Sequence, residues 1–175
     1  MPLYLCLIQW SLQQKLLSTN FEARADRFGH SVSASGNRIV VGADLDNSKG
    51  DDSGAGYVYK LSDGVWDFES KLVPSIDPGS MDAQGYTCGF SVDISSDGKM
   101  ALVGCPEAPG GGITYMYNFK DEKWLQTEKL RVPNGYNGSG LQLGSSVAAF
   151  SGDDGMAVVG YGEFNGEIIS YRKNC

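Results

Sequence analysis

A chain of 175 residues has the length of one domain and can bury a core. Its net charge of −7 and pI near 4.6 argue against a nucleic-acid partner or an anionic membrane surface, since both rest on clustered Lys and Arg. No apolar run approaches the roughly 20 residues of a membrane span, and no window has helical amphipathicity. Short β-branched and aromatic runs, separated by Gly, Asn, Asp and Ser among 24 glycines, predict an all-β chain.

Leu3 to Ile8 is apolar but lacks the basic flank and small-residue cleavage site of a signal peptide. It reads with Leu3 to Gln9 and Trp10 to Leu16 as the last two strands of an earlier unit, a partial blade over 1–17. The first full unit, 26–72, predicts strand A at Phe28 to Ala34, with Val32 and Ala34 able to face inward, and strand B at Arg38 to Ala43. Strand C follows at Gly56 to Leu61, then strand D at Trp66 to Leu72, with Trp66, Phe68 and Ser70 on one face. The second unit, 87–130, predicts Gly89 to Ser95, Lys99 to Cys105, Ile113 to Phe119 and Trp124 to Leu130. An incomplete unit, 143–172, offers Gly144 to Phe150, Met156 to Tyr161 and Glu167 to Arg172.

Three motifs recur in fixed order through these units. Trp10 to Leu16, Trp66 to Leu72 and Trp124 to Leu130 share Trp-x-x-x-x-Lys-Leu, with the tryptophans 56 and 58 residues apart. Gly29-His-Ser-Val32, Gly89-Phe-Ser-Val92 and Gly144-Ser-Ser-Val147 form a second set. Val41-Gly42, Val103-Gly104 and Val159-Gly160 form a third. Such a period marks a repeat protein, and four antiparallel strands per unit predict β-propeller-type blades in about three repeats, a partial or open propeller within a single domain, 1–175. The glycines of the last two motifs are expected where backbones approach closely near the central axis.

Asp26-Arg-Phe-Gly-His-Ser-Val32, Ile39-Val-Val-Gly-Ala-Asp44 and Ser53-Gly-Ala-Gly-Tyr-Val-Tyr59 resemble the FG-GAP repeat family, whose best-known members form the propeller of integrin α subunits. The second copy keeps Gly89 with Cys88 before it and has Gly104-Cys-Pro106. The third has Leu143-Gly144 and Gly160-Tyr-Gly162. The resemblance implies a propeller that recognises protein partners. The integrin-type calcium cage lies inside the A–B hairpin, where this chain has only tight turns, so that site does not carry over.

The turns A–B and C–D are short, whereas the B–C and D–A connections are long and gather on one rim, the ordinary place for recognition. Candidate binding residues there are Met81, Tyr86, Glu107, Tyr136, Tyr161, Glu163 and Phe164. The acidic loop Asp44 to Asp52 places Asp44, Asp46, Ser48 and Asp52 at spacings that suit Ca²⁺ as a possible cofactor, although Lys49 opposes it and an Asp/Gly-rich turn has the same composition. Cys88 and Cys105 flank a hairpin; pairing Ile94 with Lys99 sets them opposite each other, as a disulfide or as two small buried residues. The cysteine spacing lacks a zinc pattern.

Catalysis finds little in the residues. The single histidine, His30, sits beside repeat glycine and serine, no nucleophile is paired with a second one, and Asp51-Asp52 and Asp153-Asp154 read as solvated turns. Asn137-Gly-Ser139 is a glycosylation sequon in a secreted setting. An open arc leaves blade faces and edges for a homo-oligomer, for other proteins, or for further blades of a longer chain. The expected function is a non-enzymatic protein–protein interaction module: an accessory or structural subunit, or an adhesion domain. The expected setting is extracellular, cell-surface or organelle-lumenal. The alternative is a small-ligand or carbohydrate binder that stacks on Tyr86, Tyr136, Tyr161 and Phe164.

Overall fold

The structure, a computed structural model, describes residues 10–19, 26–75, 82–133, 140–151, 156–160 and 168–172. These contain strands and no helix. The first blade is β1 (Ser31–Ser35), β2 (Arg38–Ala43), β3 (Ala55–Ser62) and β4 (Val65–Leu72); the second is β5 (Ser91–Ile94), β6 (Met100–Cys105), β7 (Ile113–Lys120) and β8 (Lys123–Arg131). The third holds β9 (Ser146–Phe150), β10 (Met156–Gly160) and β11 (Ile168–Arg172). Each is an antiparallel meander in chain order, so the all-β, open propeller-like architecture is the one observed. Two of the three Trp-x-x-x-x-Lys-Leu segments, Trp66–Leu72 and Trp124–Leu130, lie in the outermost strands β4 and β8.

Each blade begins with the same turn. Arg27, Thr87 and Gln142 adopt φ of 51°, 52° and 51°, and two residues later Gly29, Gly89 and Gly144 adopt 94°, 88° and 96°. The glycine amide then donates to the carbonyl of the Val-Gly glycine of its own blade, at 3.0 Å in all three: Gly29 to Gly42, Gly89 to Gly104 and Gly144 to Gly160. The left-handed φ makes glycine the residue of choice at this point.

The same turn supplies the contact between blades. A Cβ on Gly42 would lie 2.0 Å from the Gly89 carbonyl oxygen, and one on Gly104 would lie 2.1 Å from that of Gly144. The inner strand of the preceding blade donates to each of those oxygens, Ser31 Oγ to Gly89 at 2.8 Å and Ser91 Oγ to Gly144 at 2.6 Å. Further out, a tyrosine of the third strand ties each blade to the end of the preceding Trp segment. Tyr59 donates to the Leu17 carbonyl, Tyr117 to Val73 and Tyr171 to Arg131, at 2.6, 2.6 and 2.7 Å.

Between the first two blades lie Val40, Val58 and Leu72 with Val92, Val103 and Tyr115; between the next two lie Leu102 and Leu130 with Leu143, Ala157 and Val159. Each fully buried leucine or valine contributes about 2 kcal/mol relative to exposure. Tyr57 and Tyr59 form a further cluster with Phe28 and Leu16 on the outward face of the first blade.

Four expectations are corrected. Val32 is 65% exposed and Ala34 is exposed as well, because their face of β1 points away from the second blade while Ser31, Ser33 and Ser35 point towards it. Trp66, Phe68 and Ser70 do not share one face, since a β-bulge inserts Glu69 between the pairs Val58–Ser70 and Tyr59–Phe68. Ile94 pairs with Ala101 rather than Lys99, the loop being closed by the Ser95 and Asp97 side chains. Trp10–Leu16 pairs with no strand among the described residues, and Leu3–Gln9 lies outside them.

Replacing Gly104 by Ala drives a methyl into the Gly144 carbonyl. We expect a loss of about 3 kcal/mol in urea unfolding, the scale of a forced backbone shift in a packed interior. A loss under about 1 kcal/mol would mean that the seam can open without cost to the fold.

Candidate functional site

The long loop 44–54 is a clasp between blades. Its carbonyls accept amides from the lead-in to the second blade: Lys49 from Ala83 and Asp51 from Gly85, each at 2.8 Å, then Asp52 from Thr87 and Ser53 from Cys88, each at 3.0 Å. The lead-in ends at Cys88, whose sulfur is bonded to that of Cys105 at 2.04 Å, with the Cα atoms 4.0 Å apart. Cys88 precedes β5, so this bond joins the turn to the end of β6 rather than two paired strand positions.

The clasp is built around Asp46. Buried in full, its Oδ2 accepts from Tyr57 OH and Lys71 Nζ, both at 2.6 Å, and its Oδ1 accepts from the Ser48 amide at 2.9 Å. Lys71 also donates to Ser48 Oγ and lies 4.9 Å from the centre of the Tyr57 ring. Burial pushes the Asp46 carboxyl up, but the hydrogen bonds from Lys71, Ser48 and Tyr57 outweigh it and hold the group below the usual carboxylate range. Burial and the Asp46 carboxylate push the Tyr57 phenol up.

Lys71, the lysine of the Trp-x-x-x-x-Lys-Leu motif, therefore faces the carboxylate for which a calcium ion was expected. Asp44 pairs instead with Arg27 at 2.8 Å, and Asp52 is exposed at the surface with its amide on Asn47. The expected Asp44, Asp46, Ser48 and Asp52 cage does not form in this geometry. Among the described residues no three His, Cys, Asp or Glu side chains converge as a metal site. Asp26 is buried nearby with Oδ2 unbonded, and burial together with the Asp46 charge raises its carboxyl.

Of the rim candidates, Tyr86 is a correction. It is 4% exposed and packs with Ala83 and Ala108, since the clasp folds its loop onto the core. Glu107 is exposed and accepts from Gln142 at 2.7 Å. Met81, Tyr136, Tyr161, Glu163 and Phe164 lie outside the described residues, as do Asp153 and Asp154. His30 stacks on Phe90 with ring centres 5.0 Å apart, and its Nδ1 is 3.7 Å from Asp44.

At the opposite end of the seam, Arg38 makes a two-pronged ion pair with Glu69 at 2.8 Å and lies 3.9 Å from the centre of the Phe119 ring. Trp124 Nε1 donates to the same Glu69 at 2.9 Å. Burial raises the Glu69 carboxyl, and the Arg38 and Trp124 bonds more than reverse that. An open cleft of about 400 Å³ beside it is lined by Lys60, Ser62, Asp67, Phe68, Glu69, Phe119 and Glu122, a surface of mixed charged and aromatic character.

Large apolar side chains are exposed at the two ends of the described arc and also along it, at Val65, Phe68, Phe90 and Leu125. Trp10 and Leu12 are 94% and 88% exposed before the first blade; Phe150 and Ile168 are 48% and 74% exposed on the third. The outer edge of β11 bears no strand among the described residues. Sequence reading missed the tyrosine ties, although Tyr59 and Tyr117 each stand seven residues before a motif tryptophan.

Asp46→Asn removes the charge that Lys71 and Tyr57 face. At neutral pH the expected cost is about 3 kcal/mol, the lower end for breaking a buried pair because Lys71 is partly exposed. The lowered Asp46 carboxyl contributes stability that is present above its unfolded value and is lost as pH falls through its folded value. Urea unfolding at pH 7 and below pH of about 3 should show the two proteins converging in acid; a gap independent of pH would refute the charge pairing.

No curated protein matches the chain. A family model described as FG-GAP repeat matches residues 10–59, from the first Trp-x-x-x-x-Lys-Leu segment through β1 and β2 and well into β3. Over residues 10–59 the chain is similar to the FG-GAP repeat.

Proposed function

We propose that this protein is a non-enzymatic protein-binding module that recognises partners through the ends of its blade arc. FG-GAP repeats are a protein-interaction and adhesion type of module, generally without catalysis. The observation that carries the reading is the location of the unsatisfied surface. Large apolar side chains are exposed at both ends of the described arc, at Trp10, Leu12, Val32, Phe150 and Ile168, and β11 has an edge unpaired among the described residues. An edge of that kind recruits a strand from another chain, and an exposed apolar face marks an interaction site. The buried charges, by contrast, already have partners within the first blade. Asp46 faces Lys71, and Glu69 faces Arg38.

The Cys88–Cys105 bond favours an oxidising setting, the cell exterior or an organelle lumen. A stacking platform for sugars loses support with Tyr86 in the core.

The reading is tested by placing a photo-reactive benzoylphenylalanine at Phe150 or at Asp63, in the far C–D turn, and illuminating the full chain in extract from its source. Cross-links to protein are expected at Phe150 and not at Asp63. Saturable binding on a glycan array together with no protein cross-link at Phe150 would replace this reading with the carbohydrate one.

A further inference from the structure

We infer that the outer edge of the second blade, at Lys123–Gln126 of β8, receives an extended segment of a protein partner as a further strand. This surface lies along the arc and apart from its ends. Trp66 stands opposite Leu61 in the first blade, and Trp124 stands opposite Phe119 in the second. The amides of Leu61 and Phe119 turn away from these partners, to the carbonyls of Asn37 and Lys99 at 2.8 and 2.7 Å. Each pair is therefore of the non-hydrogen-bonded kind, and the N–H and C=O of both tryptophans point out of the blade.

On the first blade these two groups have a partner. The Gln14 carboxamide donates to the Trp66 carbonyl at 2.9 Å and accepts from the Trp66 amide at 2.8 Å. A carboxamide offers the same donor and acceptor as a peptide unit, so Gln14 does there what one residue of an added strand would do. On the second blade the corresponding place belongs to Ser70. Gln14 and Ser70 each lie four residues after a motif tryptophan, and Leu17 and Val73, the acceptors of the Tyr59 and Tyr117 bonds, each lie seven after it. A serine side chain is too short to present both groups. Among the described residues nothing bonds to the Trp124 N–H or C=O.

The neighbours of this open position define what fits it. Gln126 faces Tyr117 at the next non-hydrogen-bonded position, with its side chain turned onto Ser75, so its backbone groups also point outward. Trp124 and Gln126 together offer two donors and two acceptors to an antiparallel neighbour, and the bulge at Thr127 ends the run. Between them Leu125 is 47% exposed, where the first blade has the charged Asp67. An added strand sets one side chain directly across from Leu125 at the closer spacing. The occupant is therefore a short extended segment with a β-branched apolar residue at its centre.

Hydrogen exchange and peptide titration of the full chain, both read by NMR, test this. The Trp66 backbone amide should be protected from exchange and the Trp124 amide should not. Gln14→Ala should remove the first protection, and Ser70→Gln should confer it on Trp124. The peptide acetyl-Thr-Thr-Val-Thr-Thr-amide, at millimolar concentration, should shift the Trp124 and Gln126 amides together and saturably. That shift should be lost in Ser70→Gln, and lost when the peptide is N-methylated at its second and fourth residues, whose donors face β8. Where Ser70→Gln fails to fold, the N-methylated peptide decides alone. Equal protection of the two tryptophan amides, no shift, a shift at Trp124 without one at Gln126, or a shift that survives N-methylation would overturn the proposal.

Discussion

The fold depends on backbone meeting backbone at the inner end of each seam. A glycine of the second strand accepts the turn carbonyl of the next blade at a distance that leaves no room for any side chain. The serine bond to that carbonyl is worth about 1 kcal/mol, as an ordinary hydrogen bond, but the steric exclusion is a stricter condition than the bond. It requires glycine at Gly42 and Gly104, and it requires the turn to present its oxygen in one direction. The left-handed Arg27, Thr87 and Gln142 and the glycines two places on satisfy that second requirement in all three blades. The sequence elements that recur most visibly are therefore the two halves of one contact, contributed by neighbouring units.

Farther from the axis, the first seam uses charge where the inner end uses shape. Asp46 with Lys71 and Glu69 with Arg38 are both pairs within the first blade, the former on its Tyr57 face and the latter beside Trp124 of the second blade, and both are largely removed from water. Buried ion pairs add little net stability over apolar packing, because desolvation offsets much of the attraction. Their effect here is positional. Asp46 anchors the loop whose carbonyls receive the second blade's lead-in, and Glu69 joins Arg38 of the first blade to Trp124 of the second. The Glu69 carboxylate is available for this because the bulge in β4 places one extra residue there. The equivalent bulge in β8 inserts Thr127, so the second seam lacks this bridge.

Strand B of the first unit was legible to the residue, because Arg38 to Ala43 is an almost continuous apolar run bounded by turn residues. The Trp strands were legible from their own repetition. Orientation was not: alternation in Ser31 to Ser35 shows that two faces differ, but not which one meets the next blade, and the valine side proved to be the outward one. The acidic loop is ambiguous for a related reason. Carboxylates spaced for a cation look the same whether the cation is a metal or a lysine 25 residues away, and Lys71 was already accounted for as part of a strand motif. Tyr86 misled because a long loop was taken as solvated, when its amides are bound in the clasp. The tyrosine ties went unread because their acceptors are carbonyls, which leave no mark in a sequence.

The bounds of the family match sharpen what a unit of this protein is. Residues 10–59 take the Trp10–Leu16 segment seated before the first blade and then β1, β2 and most of β3, so the repeat begins ahead of the blade and stops short of β4. The Tyr59 bond to Leu17 lies inside that unit, whereas the Gly42 contact with Gly89 joins it to the next. Each repeat thus carries the outer half of a seam within itself and completes the inner half with a neighbour. Stability in such an array is nearest-neighbour in character, and the groups with chemical potential are consumed in holding neighbours together.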